Sequence, residues 1–244
     1  RAVLIGAVTL SPAAKDLVSQ SKYAKDCPYD SVQFSGFTIS LMPEMYPAYT
    51  TATPSVQKLI QFGFPNDKQH WRHMFFLENN SAFQDFEKAP HSLESLAFWK
   101  RYWLINAFGF NGHLKLDSAV FYDNSVAFRA NLLHEAINEH LQNTSVDTAK
   151  TYANLFAKHL NIKADEDEAL LLTRMMTMIN LTSENDAENM LAALEKYPNR
   201  DALLQLHKKT FQSDIQVTYL PALLSNVWSY RKNMDDVISI FHWA

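Results

Sequence analysis

The sequence predicts a mainly α-helical, compact multi-helix domain carrying a small N-terminal strand-containing (α+β) segment. Three observations point there. Helix-capping residues recur at helical intervals from Thr53 onward. Runs of β-branched and alternating apolar residues are confined to the stretch before Pro54. Hydrophobic residues form 47% of the 244 positions and glycine only 5 of them, enough for a large core and too little glycine for a turn-rich β protein.

Taken in order, residues 2–10 include Val3, Leu4, Ile5 and Val8, and read as a buried strand in preference to a signal peptide. Ser11-Pro12 then supplies an N-cap and a first-turn proline for a helix to about Tyr23. A second strand is predicted over Val32, Phe34, Phe37, Ile39 and Leu41, whose alternation changes phase at Gly36 as a bulge requires. From Pro43 to Pro54, prolines, tyrosines and threonines resist regular structure and predict a surface loop or lid.

Helix starts follow at Thr53-Pro54, Asn66 with Gln69, Ser81 with Gln84, Ser92, Asp117 or Asn124, Thr144 with Asp147, Asp165, Ser183 with Asp186, Asp201 and Asp235. Gly63, Gly109 and Gly112 read as breaks, giving roughly eight to ten helices. The resulting division is 1–53, a strand and helix segment with a Pro-rich loop, and 54–244, a helical domain. The acidic run Asp165-Glu166-Asp167-Glu168 suits a helix N-terminus and lacks the glycine of a calcium loop. No fixed-period repeat is visible.

Charge and cysteine usage narrow the function. A net charge of -4 with interspersed signs offers no basic stripe, so nucleic acid is not expected as a partner. No apolar run reaches the ~20 residues of a membrane span. The single cysteine, Cys27, forms no intrachain disulfide and suits a reducing compartment, so a soluble protein in, or delivered to, the cytoplasm is expected. A start at Arg1 and an apolar end predict a piece of a longer protein. Glycine-rich phosphate loops, dinucleotide fingerprints, GxSxG elbows and CxxC pairs are absent from the sequence.

Histidines carry the remaining candidate chemistry. His134 and His140 lie six apart on one predicted helix, so the rings diverge by about 120° and do not form a zinc-protease pair. His134 and Glu135 fall outside the apolar arc of that helix and read chiefly as surface residues, whereas His140 reads as a core-edge histidine. His70 and His73 are neighbours on a helix face, with Trp71 and Phe75 expected inward. Phe98, Trp99, Tyr102 and Trp103 read as a buried stripe, and Met175, Met176 and Met178 as core filling.

In chain order, His91-Ser92-Leu93-Glu94, then Leu133-His134-Glu135-Ala136, then Asp147-Thr148-Ala149, then Ile179-Asn180-Leu181-Thr182, resemble the HD-domain metal-dependent phosphohydrolase superfamily. The likeness covers about residues 90–205. It implies a divalent metal ion held by His91, His134 and Glu135, with Glu135 where the family has aspartate and Asp186 or Asp201 for the last ligand. Such an ion would lower the pKa of a bound water and stabilise charge on a phosphate. Two functions therefore stand as expectations: an HD-like phosphohydrolase or phosphodiesterase, active or degenerate, acting on a phosphorylated small molecule, and a non-catalytic α-helical module binding a protein partner.

Overall fold

The run Asp165-Glu166-Asp167-Glu168 begins a helix because the Asp165 carboxylate accepts the Glu168 backbone N–H at 2.9 Å. The three acids behind it face the positive end of the helix dipole. The same logic places most of the chain. The computed structural model describes residues 18, 20–26, 41–44, 46–63, 70–88, 91–109, 124–212 and 220–243. Its helices are α1 (Pro47–Thr50), α2 (Pro54–Gly63), α3 (His70–Phe75), α4 (Ser81–Lys88), α5 (Leu93–Gly109) and α6 (Asn124–Gln142). They continue as α7 (Thr148–His159), α8 (Glu166–Met178), α9 (Glu184–Lys196), α10 (Arg200–Gln212), α11 (Leu220–Arg231) and α12 (Met234–Trp243).

The protein is mainly helical, and there is no strand among the described residues. The first predicted strand, Cys27, Asn66 and Gly112 lie outside the described residues, as does the second strand except for Leu41, which sits in a helical turn over 41–44. Within the predicted loop from Pro43 to Pro54, α1 forms a single turn opened by Pro47.

Two compact units divide the chain, one of residues 1–69 and 91–121, the other of 70–90 and 122–244. In the first, α2 packs on α5, and its core includes Met42, Ile60, Phe98 and Trp99. Gln57 donates to the Tyr49 carbonyl at 3.0 Å, which fixes α1 against the start of α2.

The second unit is organised around α8, which touches α7, α9, α10, α11 and α12. From Leu171 to Met178 every α8 residue is buried, as a helix enclosed on all sides requires. Leu171, Leu172, Met175 and Met176 are buried, as are Phe156, Met190, Leu203, Leu224, Val237 and Ile238 on the helices that α8 touches. The methionines expected as core filling are there, each at most 2% exposed.

Lys232 after α11 is left-handed (φ 52°), and three further helix ends share one pattern around such a residue: Leu77 after α3 (φ 50°), Asn161 after α7 (φ 51°) and Asn180 after α8 (φ 64°). Each shows the paired reversal that closes a helix C-terminus. After α3, Leu77 N–H reaches the Met74 carbonyl at 3.1 Å and Glu78 N–H the His73 carbonyl at 2.9 Å. Asparagine tolerates this conformation, whereas leucine costs about 1–2 kcal/mol there. Leu77 therefore needs outside support.

Several caps differ from expectation by one turn or less. Ser92, Asp165 and Ser183 accept the predicted backbone N–H bonds, at 2.9–3.1 Å, while α7 is capped by Asp147, three residues after the predicted Thr144. At α4 the acceptor is Asn79, whose Oδ1 takes Ala82 N–H at 3.3 Å, and Ser81 instead donates its hydroxyl to that oxygen. At α12 Asn233, two residues before the predicted Asp235, caps the helix.

Candidate functional site

The densest set of buried polar groups in the second unit surrounds the turn between α3 and α4. Four consecutive carbonyls of this turn are each taken by a side chain of α7 or α8. Tyr152 Oη donates to Phe75 O at 3.2 Å, and Thr177 Oγ1 to Phe76 O at 3.2 Å. Arg174 Nε donates to Leu77 O at 2.9 Å, and its Nη2 to Glu78 O. These bonds satisfy acceptors that the end of α3 leaves open. They also hold the left-handed Leu77, which is 0% exposed.

Arg174 is itself buried. Its third bond runs from Nη1 to Nδ1 of His207 on α10, at 3.2 Å. Above the guanidinium lie the rings of Phe241 and Phe211, at 5.2 and 5.6 Å from their centroids. Burial pulls the guanidinium down to about 10, against the attraction of Glu78. Burial, then the charge of Arg174, pulls the His207 imidazole down to about 3. His207 is thus a neutral acceptor at Nδ1 whose Nε2 carries the proton. Across the turn, the Glu78 carboxylate bonds His73 Nδ1, both groups buried.

A second buried arginine repeats the arrangement at the end of α8. Arg129 of α6 donates from Nη1 to Thr177 O at 2.7 Å and from Nη2 to Asn180 Oδ1. Its guanidinium stacks 4.4 Å from the Phe75 ring centroid. A cation at a helix C-terminus also complements the dipole. From the other side of the hairpin, Glu87 of α4 accepts the first free N–H of α7, that of Thr148, at 2.8 Å.

The residues expected to hold a metal are distributed differently. His91 belongs to the first unit, just before α5, and His134 and Glu135 to the second. On α6, His134 is turned into the core at 5% exposure, which corrects its expected surface position, while Glu135 is exposed as expected. Leu132, Leu133, Ala136 and Ile137 are buried around them, so the buried face of α6 is wider than its apolar arc. Asp186 bonds the Ser183 cap, and Asp201 lies in the first turn of α10. No group of three or more His, Cys, Asp or Glu placed to hold a metal occurs among the described residues. His140 is buried at the core edge as expected, its Nδ1 2.7 Å from Val146 O. His73 is buried and bonded to Glu78.

Elsewhere, an open depression of about 180 Å³ lies between the end of α7 and α9, bordered by Leu160, Lys163, Glu188 and Leu191. That is below the volume of an ordinary small-molecule site. No helix among the described residues is long and apolar enough to cross a membrane.

Arg174 and Arg129 were not among the sequence-derived candidates. The available signal was an arginine inside Leu170-Leu171-Leu172-Thr173-Arg174-Met175-Met176, since a cation in such a run must find buried acceptors.

The fold and this polar cluster define a mainly helical unit with a hydrogen-bonded core. Comparison with protein-family models, curated proteins and solved structures returned no match.

Proposed function

We propose that the chain is a non-catalytic α-helical protein–protein interaction module. The observation that carries this reading is the division of His134 and Glu135, adjacent on α6, between core and solvent. A single ion needs its ligands to converge within about 2.1 Å. Four other histidines of the second unit are engaged in holding the fold: His73 to Glu78, His140 to Val146, His207 to Arg174 and His242 to Tyr197.

Surface chemistry supports binding. Trp243 on α12 is 84% exposed, with its ring stacked on His242 at 5.7 Å. His242 is in turn fixed by the Tyr197 hydroxyl at 2.8 Å. An ordered, exposed tryptophan is the side-chain type that most often anchors a protein interface.

Metal analysis of tag-free protein, paired with thermal melts in manganese, iron or zinc, tests the reading. The module predicts substoichiometric metal and unchanged melting. Near-stoichiometric metal, lost on Glu135→Gln, overturns it in favour of the metal-dependent phosphohydrolase. For a partner isolated by crosslinking, Trp243→Ala is expected to abolish binding and Glu135→Ala to leave it intact.

A further inference from the structure

The α3–α4 hairpin belongs to the second unit although residues 91–121, which separate it from the rest of that unit, belong to the first. Its attachment at the turn is made largely by side chains that donate to main-chain carbonyls. Arg174 makes two of those bonds. Asn80 N–H adds a backbone bond to Phe211 O at 2.7 Å, at the end of α10. Beside the bonds from Tyr152 and Thr177, the centre of the turn is therefore a strap held by one buried guanidinium, whose third bond is accepted by the lone pair of His207.

We propose that residues 76–80 form an acid-releasable strap, with His207 as the proton acceptor that frees it. Protonation at Nδ1 replaces an acceptor with a donor, so Arg174 Nη1 faces an N–H and a second cation 3.2 Å away. Among the described residues, the charges that act on the ring are both cations. Arg174 on α8 repels it, and so does Lys208 on α10, although Lys208 pairs with Asp167 at 2.5 Å. The turn presents Glu78, whose carboxylate is bonded to His73. Phe211 and Phe241 close the remaining sides with rings 5.7 and 6.5 Å from the imidazole. An imidazolium leaves such a site by opening it, and Arg174 with its two carbonyls moves with it.

Linkage sets the expected response. The ring takes its proton at about 6.5 once exposed and only at about 3 while buried, so opening is favoured as pH falls between those values. Amide exchange, corrected for intrinsic rates, reads this directly. In the full chain, the opening constant for the Leu77, Glu78 and Asn80 amides is expected to rise about tenfold per pH unit below ~6.5. His207→Gln keeps an acceptor without a titration, and is expected to flatten the profile. His73→Gln is expected to keep the wild-type slope.

An unchanged slope in His207→Gln overturns the proposal. So does a flat profile in His73→Gln, which assigns the response to the His73–Glu78 pair. Turn amides that share the protection of α7 amides at every pH also overturn it, because the strap then has no separate release. Should His207→Gln not fold, ring NMR of the wild type decides. An imidazole neutral at pH 5 in the folded protein supports the proposal, and one titrating near 6.5 overturns it.

Discussion

Arg174 and His207 meet through a 3.2 Å bond in which the imidazole is the acceptor and the buried guanidinium the donor. The other two faces of the same guanidinium hold Leu77 O and Glu78 O. One planar cation thus joins α8, α10 and the α3–α4 turn, and three-way geometry of this kind suits the fixed fork of arginine.

Arg174→Met leaves two carbonyls and the Glu78 carboxylate buried without their cation. A loss of about 3–5 kcal/mol in unfolding free energy is expected from urea denaturation. Arg174→Lys keeps the charge but not the fork, and is expected to recover only part of that loss. Equal stability of the methionine variant and wild type would show that the turn is held by packing alone.

Global stability should follow the protonation of His207. Its folded-state pKa, at about 3, lies below the unfolded value near 6.5. The unfolded chain therefore binds the proton first as pH falls. The contribution is complete above ~6.5, declines by about 1.4 kcal/mol per pH unit below it, and levels off near 3. Denaturation at pH 7.5 and pH 5 is expected to differ by about 2 kcal/mol more in wild type than in His207→Gln.

Asn161, exposed and left-handed at the end of α7, gives a local test of the helix ends. Asn161→Gly is expected to be neutral or to raise stability by up to about 1 kcal/mol, whereas Asn161→Val is expected to lower it by about 1–2 kcal/mol. Thermal unfolding of the two variants should move the midpoint in opposite directions or, for glycine, leave it in place.

Asp165→Ala removes the cap of α8, and a loss of about 1 kcal/mol is expected from equilibrium unfolding. The exposed pair Lys150–Glu166, 3.1 Å apart, adds little at that end, so Lys150→Ala is expected to cost less than the cap variant.

Features set by neighbours in sequence were legible before the fold was known. Asp165 and Ser183 begin helices because their acceptors reach an N–H three residues on. The α8 methionines are buried because the whole segment is apolar. What could not be read depends on contacts between distant residues. His134 is polar by type, and its place in the core follows from the packing of α6 against α3 and α7. The role of Arg174 rests on carbonyls, which every residue carries and no side-chain pattern records. Likewise Leu77 shows no sign of a left-handed turn, because the bonds that hold it come from α8. The candidate metal set stands on residue types in order along the chain, which does not record that His134 is buried and Glu135 exposed.

The distance along the chain between the strap and its fastening also sets an order of events during synthesis. Leu77 and Arg174 are 97 positions apart. At ~5–20 residues per second the α3–α4 hairpin leaves the ribosome roughly 5–20 s before its guanidinium is made. Throughout that interval the Leu77 and Glu78 carbonyls lack the cation that holds them. The newborn hairpin is consequently the segment of this unit that a chaperone would meet first.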